Sequence, residues 1–300
     1  MIVVIVGPTA IGKTRLGVAV AKAFNTEVIS GDSMQIYRDL DIGTAKVTEA
    51  ETNGVKHHMI DILDADASFS VADYQREVRH KIEQFKQKHK LPLIVGGTGF
   101  YIKTVLHDFD FRDAARNENF AKQYDHLDNT TVHAKLVAFD SHAAQNVHPN
   151  NRKRVLRMLE MAMQGEKPSD KRAQDKAVYD YLIIGLTCAR KVLHTRINAR
   201  VDYMVANGLI EEARMLYEKA PHAQSAMGIG YKELFGYFDG RYSLETAIDV
   251  IKRNTRQFAK RQYTYFNNQF NVQWFDVDLE DFGNTIESVI DAMRKKKRDE

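Results

Sequence analysis

The chain begins MIVVIVGPTAIGKTRLGVAVAKAF (residues 1–24), and the reading of this stretch decides the fold. Ile2 to Val6 is an unbroken apolar run, as a strand buried on both faces of a parallel sheet requires. Gly7, Pro8, Thr9, Ala10, Ile11, Gly12, Lys13 and Thr14 then fit G-x-x-x-x-G-K-[ST], a loop that holds a chain of phosphates. The two glycines permit dihedral angles that turn successive backbone N–H groups inward, forming an anion nest. Lys13 adds a point charge, and Thr14 offers a hydroxyl to Mg²⁺. Thr14 to Phe24 has helical apolar spacing, so the loop stands at a helix N-terminus, where the dipole also favours anions.

Outward from this stretch, further strand-like runs end in small or acidic residues: EVISGD (27–32), HHMIDIL (57–63) and LPLIVGGTG (91–99). Residues 71–90 have helical spacing with a charged outer face, and YLIIGLT (181–187) and VQWFDVD (272–278) read as later strands. Strands alternating with helices indicate an α/β fold, a P-loop NTPase-like parallel sheet with helices on both faces. In such sheets ligands gather at the carboxyl ends of strands, where Gly7–Thr14, Asp32 and Gly96–Thr98 all fall. Residues 112–147 contain neither strand run nor glycine and read as short polar helices. They are expected to form a small all-helical insertion domain in a core made of 1–111 and 148–300. From Ala189 to about Asn268 the chain is again mainly helical, and RKKKR (294–298) reads as a solvated helix end.

The 300 residues are 44% hydrophobic and 28% charged, ordinary for a globular protein, and a net charge of +3 does not by itself imply nucleic acid. Cys188 is the only cysteine, which excludes an internal disulfide or a cysteine zinc site and fits a reducing cytosol. The first apolar run is too short for a signal peptide, and no stretch approaches the roughly 20 apolar residues of a membrane span. The expectation is a cytoplasmic protein that works as a monomer.

ATP is the usual guest of such a loop, yet the partners of ATP hydrolysis are missing. LPLIV ends in Gly96-Gly97-Thr98 and lacks the carboxylate that holds Mg²⁺ and positions water, and no N-K-x-D pattern follows. The strand that does end in a carboxylate delivers Asp32, either a helix cap or a catalytic group at the head of the long mixed loop SGDSMQIYRDLDIGTAK (30–46). Gly96-Gly97-Thr98-Gly99 allows close backbone approach to a planar or phosphorylated group, or simply turns into the next helix. His57 and His58 lack metal-ligand spacing and read as structural or peripheral. Arg154 and Arg157 lie one turn apart. Arg253, Arg256, Lys260 and Arg261 are interleaved with Gln257, Gln262, Tyr263 and Tyr265, a pattern that suits an RNA backbone with unstacked bases or an ordinary solvated face. Arg196 and Arg200, at i and i+4, form a clamp on a second phosphate or a surface ion pair.

Taken together these motifs resemble the tRNA dimethylallyltransferase (tRNA isopentenyltransferase) family, bacterial type. The matching pieces are GPTAIGKT, SGDSMQIYRDLDIGTAK, HHMIDI, GGTGFY, VHPNNRKRVLR, TRINARVDYM, MGIGYKEL and TRQFAKRQYTYF, in the family's order and over about residues 2 to 275. The resemblance implies transfer of a dimethylallyl group from dimethylallyl diphosphate to the exocyclic amine of the adenosine 3′ of the anticodon, in tRNAs reading codons that start with U. The loop would then cradle the donor's diphosphate with Mg²⁺ at Thr14 and Arg196 or Arg200 close by. Asp32 would be the base and Thr98 would contact the extruded adenosine. Asp32, Ser33, Met34 and Gln35 would lie against the base; Arg154, Arg157, Lys260, Arg261 and Gln262 would contact the tRNA; and the insertion would grip the anticodon stem-loop. Asn151 stands where the family shows an acidic residue, Tyr265 where Trp is common and Asn267 where Arg is common. One cysteine leaves no place for the C-terminal zinc finger of eukaryotic relatives. The alternative is a P-loop nucleotide or small-molecule kinase, although Arg112 and Arg116 alone make a poor arginine lid. A non-catalytic RNA-binding protein would leave Asp32 incidental.

Overall fold

The computed structural model describes residues 1–109, 111, 118–166, 168 and 176–298 and divides the chain into two compact units. Met1–Leu106 with Val178–Glu300 form one unit, and His107–Ala177 form the other. The first is built on six parallel strands, β1 (Ile2–Val6), β2 (Val28–Gly31), β3 (His57–His58), β4 (Leu93–Gly96), β5 (Tyr181–Thr187) and β6 (Val272–Asp276). Their order is β3-β2-β4-β1-β5-β6. The centre of the sheet is β1, all five residues of which are buried, with Val4 opposite both Ile94 and Ile183.

Side-chain alternation along β1 assigns its neighbours. Val3 and Ile5 join the cluster formed with α1 (Lys13–Ala23), while Ile2, Val4 and Val6 face the opposite layer. That layer holds α3 (Val71–Gln87) and α4 (Gly99–Leu106), with the short α2 (Glu49–Thr52) preceding them in the chain. HHMIDIL yields a two-residue strand instead of the seven-residue run expected, because Met59 (φ 62°) and Asp61 (φ 53°) leave the extended region.

The second unit contains α5 (Glu118–Lys122), α6 (Asn129–Phe139), α7 (Ser141–Gln145) and α8 (Arg152–Met163). It is larger than the 112–147 insertion expected from sequence. The reason is α8, whose apolar stripe Val155, Leu156 and Leu159 is buried with Val132 and Leu136 of α6 instead of on the sheet. Asn151 stands at its N-cap without a side-chain hydrogen bond, and the Arg152 guanidinium donates to the Tyr124 carbonyl at 2.5 Å. The expected boundary at 112, with Arg112 and Arg116, lies outside the described residues.

After β5 the first unit continues through α9 (Arg190–Ala206), α10 (Leu209–Lys219), α11 (Tyr231–Phe238) and α12 (Leu244–Gln269), and it closes with β6 and α13 (Phe282–Arg298). Phe282 of α13 packs at Gly12 of the phosphate loop, where a Cβ would lie 2.7 Å from the ring, and Arg15 sits 4.8 Å above the ring centroid. Among the described residues, no helix is long and apolar enough to cross a membrane.

At the start of β2, Glu27 accepts hydrogen bonds from Lys90 and from His58 of β3 at 2.6 Å, so His58 is structural, as its sequence context suggests. The bond from Lys90 is the main cause holding the Glu27 carboxyl down to about 2. A depressed carboxyl contributes stability above its unfolded value, near 4.3, and loses that contribution as pH falls toward about 2. Glu27→Gln is therefore expected to cost about 1 to 2 kcal/mol at neutral pH and to flatten the fall of Tm between about pH 5 and 2. An unchanged acid limb in thermal melts would exclude this group.

Candidate active site

The phosphate loop leaves β1 and enters α1 through Gly12, whose φ of 109° no other residue adopts readily, with no side chain capping the helix. Ala10 also has a positive φ, 64°. The amides of Ala10, Ile11 and Gly12 make no hydrogen bond to the described residues, as an anion nest at an open helix end requires. Thr9 differs: its N–H donates to Gln262 Oε1 at 2.9 Å, so the loop offers phosphate one amide fewer than the sequence implies. Lys13 Nζ folds back to the Pro8 carbonyl at 2.8 Å, and Arg196 Nε donates to the Ala10 carbonyl at 2.9 Å.

Asp32 follows β2 on the same rim. Its Oδ1 accepts the N–H of Met34 at 2.8 Å, and Ser33 N–H donates to the Thr98 hydroxyl at 3.1 Å. Thr98 N–H in turn donates to the Gly31 carbonyl at 3.0 Å, so the ends of β2 and β4 are stitched together. Burial pushes the Asp32 carboxyl above its ordinary range, against the Met34 bond and the attraction of Lys13. Burial, helped by repulsion from Arg200, holds the Lys13 ammonium down to about 7, with Asp32 opposing. Burial thus penalises the charge on both groups, while each charge favours the other.

A cavity of about 350 Å³ opens at this rim. Thr9, Asp32, Thr98, Arg200 and Arg261 line its polar part, while Ile197, Val201, Met204, Leu209 and Ile251 make an apolar wall from α9, α10 and α12. A polar mouth over an apolar chamber suits a substrate with a charged head and a short hydrocarbon tail.

The remaining expected residues divide into two groups. Arg154, Lys260 and Arg261 are exposed on α8 and α12. Arg157 is half-buried and donates to the buried Glu160 at 2.6 Å, so its charge is answered within its own unit. Arg256 donates to Asn198 at 2.5 Å. Of the interleaved aromatics, Tyr263 is exposed and lies 4.7 Å from Trp274 between ring centroids, and Tyr265 fills the space beside Gly99. Asn267 accepts from the Trp274 indole at 2.9 Å. Gln35, expected against the extruded base, has its amide engaged with the Ser30 hydroxyl and the Thr44 and Ala45 carbonyls. Gln262, expected at the tRNA, is only 5% exposed. The close approach permitted by the glycine run is to the protein itself, since Cβ atoms at Gly96 and Gly97 would fall 2.2 Å from the Gly31 carbonyl and 2.1 Å from Gln262 Nε2.

Glu212 is absent from the sequence reading. Its buried carboxylate accepts the N–H groups of Asp41, Ile42 and Gly43 at 2.6, 2.8 and 2.8 Å and the Tyr231 hydroxyl at 2.7 Å. Lys46, also buried, bonds to the Tyr37 carbonyl and to Asp41 and Asp61. Together they hold the 32–46 loop, which forms part of the cavity wall. One signal was available. Glu212 falls on the stripe Leu209, Glu212, Ala213 and Leu216, where a carboxylate on an apolar helix face demands buried donors.

Fold and site define a P-loop protein in which the phosphate loop and the Asp32 carboxylate share the polar rim of a chamber with an apolar wall. Comparison with known proteins is specific. The family described as IPP transferase matches residues 35–269, and the chain belongs to that family. It is 47% identical to the tRNA dimethylallyltransferase of Bacillus subtilis (strain 168), with 93% of each chain covered. Among solved structures it resembles the full-length tRNA isopentenylpyrophosphate transferase of Bacillus halodurans, at 44% identity and TM-score 0.77 over 99% of this chain and 97% of that one. It also resembles a eukaryotic dimethylallyltransferase acting on tRNA, at 30% identity and TM-score 0.79 over 92% of this chain and 73% of that one.

Proposed function

We propose that this chain transfers a dimethylallyl group from dimethylallyl diphosphate to N6 of the adenosine 3′ of the anticodon, in tRNAs reading codons that begin with U. The observation that carries this reading is the placement of Asp32 and Thr98 with Thr9 of the phosphate loop around one cavity that is apolar on its far side. The loop amides and Lys13 hold the diphosphate as the bond from carbon to bridging oxygen breaks, and Arg200 adds positive charge at the rim. N6 forms the new bond to that carbon, and its proton passes to Asp32, which Met34 N–H keeps oriented. The apolar wall keeps water from the allylic carbon, and the adenosine enters extruded from the stack.

Among the described residues no group of three or more His, Cys, Asp or Glu is placed to hold a metal ion. The fit for Mg²⁺ is therefore the Thr14 hydroxyl, which makes no hydrogen bond within the described residues, together with the diphosphate's own hard oxygens. Bound there, the ion would neutralise charge on the leaving group. We take the enzyme to act as a monomer in the cytoplasm, with the insertion gripping the anticodon stem-loop.

The deciding experiment incubates an anticodon stem-loop with enzyme, dimethylallyl diphosphate and Mg²⁺, then analyses the nucleosides by mass spectrometry. A dimethylallyl increment on adenosine is expected. Its absence, with phosphoryl transfer from ATP in its place, would return the kinase reading. For the exposed cations, Lys260→Ala with Arg261→Ala is expected to weaken stem-loop binding and to reduce the slope of log K against log salt by about 1 to 2. An unchanged slope removes α12 from the RNA surface.

A further inference from the structure

We propose that Gln262 is a positioning residue of the transfer reaction, fixing the span between the phosphate loop and the strand end that carries Thr98, and that it makes no contact with RNA. The proposal rests on the transferase reading above and deepens it.

Lys260 and Arg261 are exposed on α12, whereas the next side chain is buried and runs inward. Its amide is used at both ends. Oε1 accepts Thr9 N–H at 2.9 Å, and Nε2 donates to the Gly97 carbonyl at 3.0 Å. These two segments need a link. They leave the neighbouring strands β1 and β4, paired through Ile5 and Val95, and beyond that pair no backbone hydrogen bond joins Gly7–Gly12 to residues 97–99 among the described residues. From Gly97 the connection continues through Thr98, whose hydroxyl accepts Ser33 N–H, to Asp32 one residue away. Beyond the sheet pairing, the leaving-group cradle and the strand end beside the base are thus joined through one side chain from a third element.

The chemistry of the link requires an amide. One end must accept from an N–H and the other must donate to a carbonyl, which glutamine does and neither glutamate nor methionine can. The fit is close, since a Cβ on Gly97 would stand 2.1 Å from Nε2. The reacting carbon has to lie between the held diphosphate and the acceptor amine, and a displacement of about 1 Å in such an arrangement costs about a hundredfold in rate.

The test uses Gln262→Met, which keeps length and apolar volume, and Gly97→Ala, which disturbs the same link from its other end and leaves the sequence of α12 unchanged. Four readouts are compared with the unaltered enzyme: stem-loop affinity across a salt series, affinity for inorganic pyrophosphate with Mg²⁺, single-turnover transfer at saturating donor and RNA, and Tm. Stem-loop affinity and its salt slope are expected to stay within about twofold, while transfer falls about 10- to 100-fold and pyrophosphate binds several-fold more weakly. The double variant is expected to be little worse than either single one, because both remove one link. Weaker RNA binding with a shallower salt slope and normal transfer at saturating RNA would make Gln262 an RNA contact and overturn the proposal. Unchanged transfer and pyrophosphate affinity would overturn it too, as would variants that no longer fold at the assay temperature. If the unaltered enzyme makes no dimethylallyladenosine, the transferase reading fails by itself, and the pyrophosphate comparison still reports on the link.

Discussion

Asp32→Asn is expected to fold, to bind the anticodon stem-loop as the unaltered enzyme does, and to lose dimethylallyl transfer by at least about a hundredfold, the lower range for removal of a general base. Asparagine is the informative replacement because its carbonyl oxygen still accepts the Met34 N–H, so the turn that presents the side chain survives. Asp32→Ala removes that bond as well and is expected to lose no less. The pH profile is a second readout. Burial raises the Asp32 carboxyl, so its ionised form, the base, is lost on the acid side at a higher pH than an exposed aspartate would give. The acid limb of the single-turnover rate is expected to shift accordingly and to vanish in Asp32→Asn. Near-normal turnover by that variant would end the base assignment.

Lys13→Ala is expected to lower kcat/KM by about 10² to 10³, the range for removing one charge-stabilising donor at a developing anion, and to weaken pyrophosphate binding. Held down to about 7 by burial, the Lys13 ammonium loses its proton as pH rises through that value. A bound diphosphate favours the charged form, so binding above that pH draws a proton from solution and affinity falls as pH rises further. Calorimetry at pH 8 in buffers of different ionisation enthalpy measures this uptake directly. Close to one proton per diphosphate is expected for the unaltered enzyme and close to none for Lys13→Ala. Equal uptake by both would assign the proton to another group.

The sheet was legible because its signal is local. An apolar run such as Tyr181–Thr187 begins and ends in the structure where its composition does, and the glycine loop between β1 and α1 has one workable shape. The meeting of the phosphate loop, Asp32 and Thr98 was legible too, since strand ends in a parallel sheet share a rim. What stayed hidden is the direction of polar side chains on helices. Periodicity reveals that α12 has two faces, but Gln262 differs from its exposed neighbours only in having Thr9 and Gly97 within reach. Tyr263 and Tyr265 read either as partners of unstacked bases or as part of a solvated face, and the contacts with Trp274 and Gly99 are not visible in the spacing. Likewise α8 carries an ordinary apolar stripe that names no partner, and only the packing with α6 assigns it to the smaller unit. The two bonds of Gln262 join residues far apart in the chain, and one sequence does not encode such a pairing visibly.

Asp41, Ile42 and Gly43 present three consecutive N–H groups beside the chamber, and the Glu212 carboxylate has already settled into them. Those three donors are therefore spent inside the protein: they clasp the 32–46 loop to α10, and an anion arriving at the rim is left with the glycine loop at the head of α1.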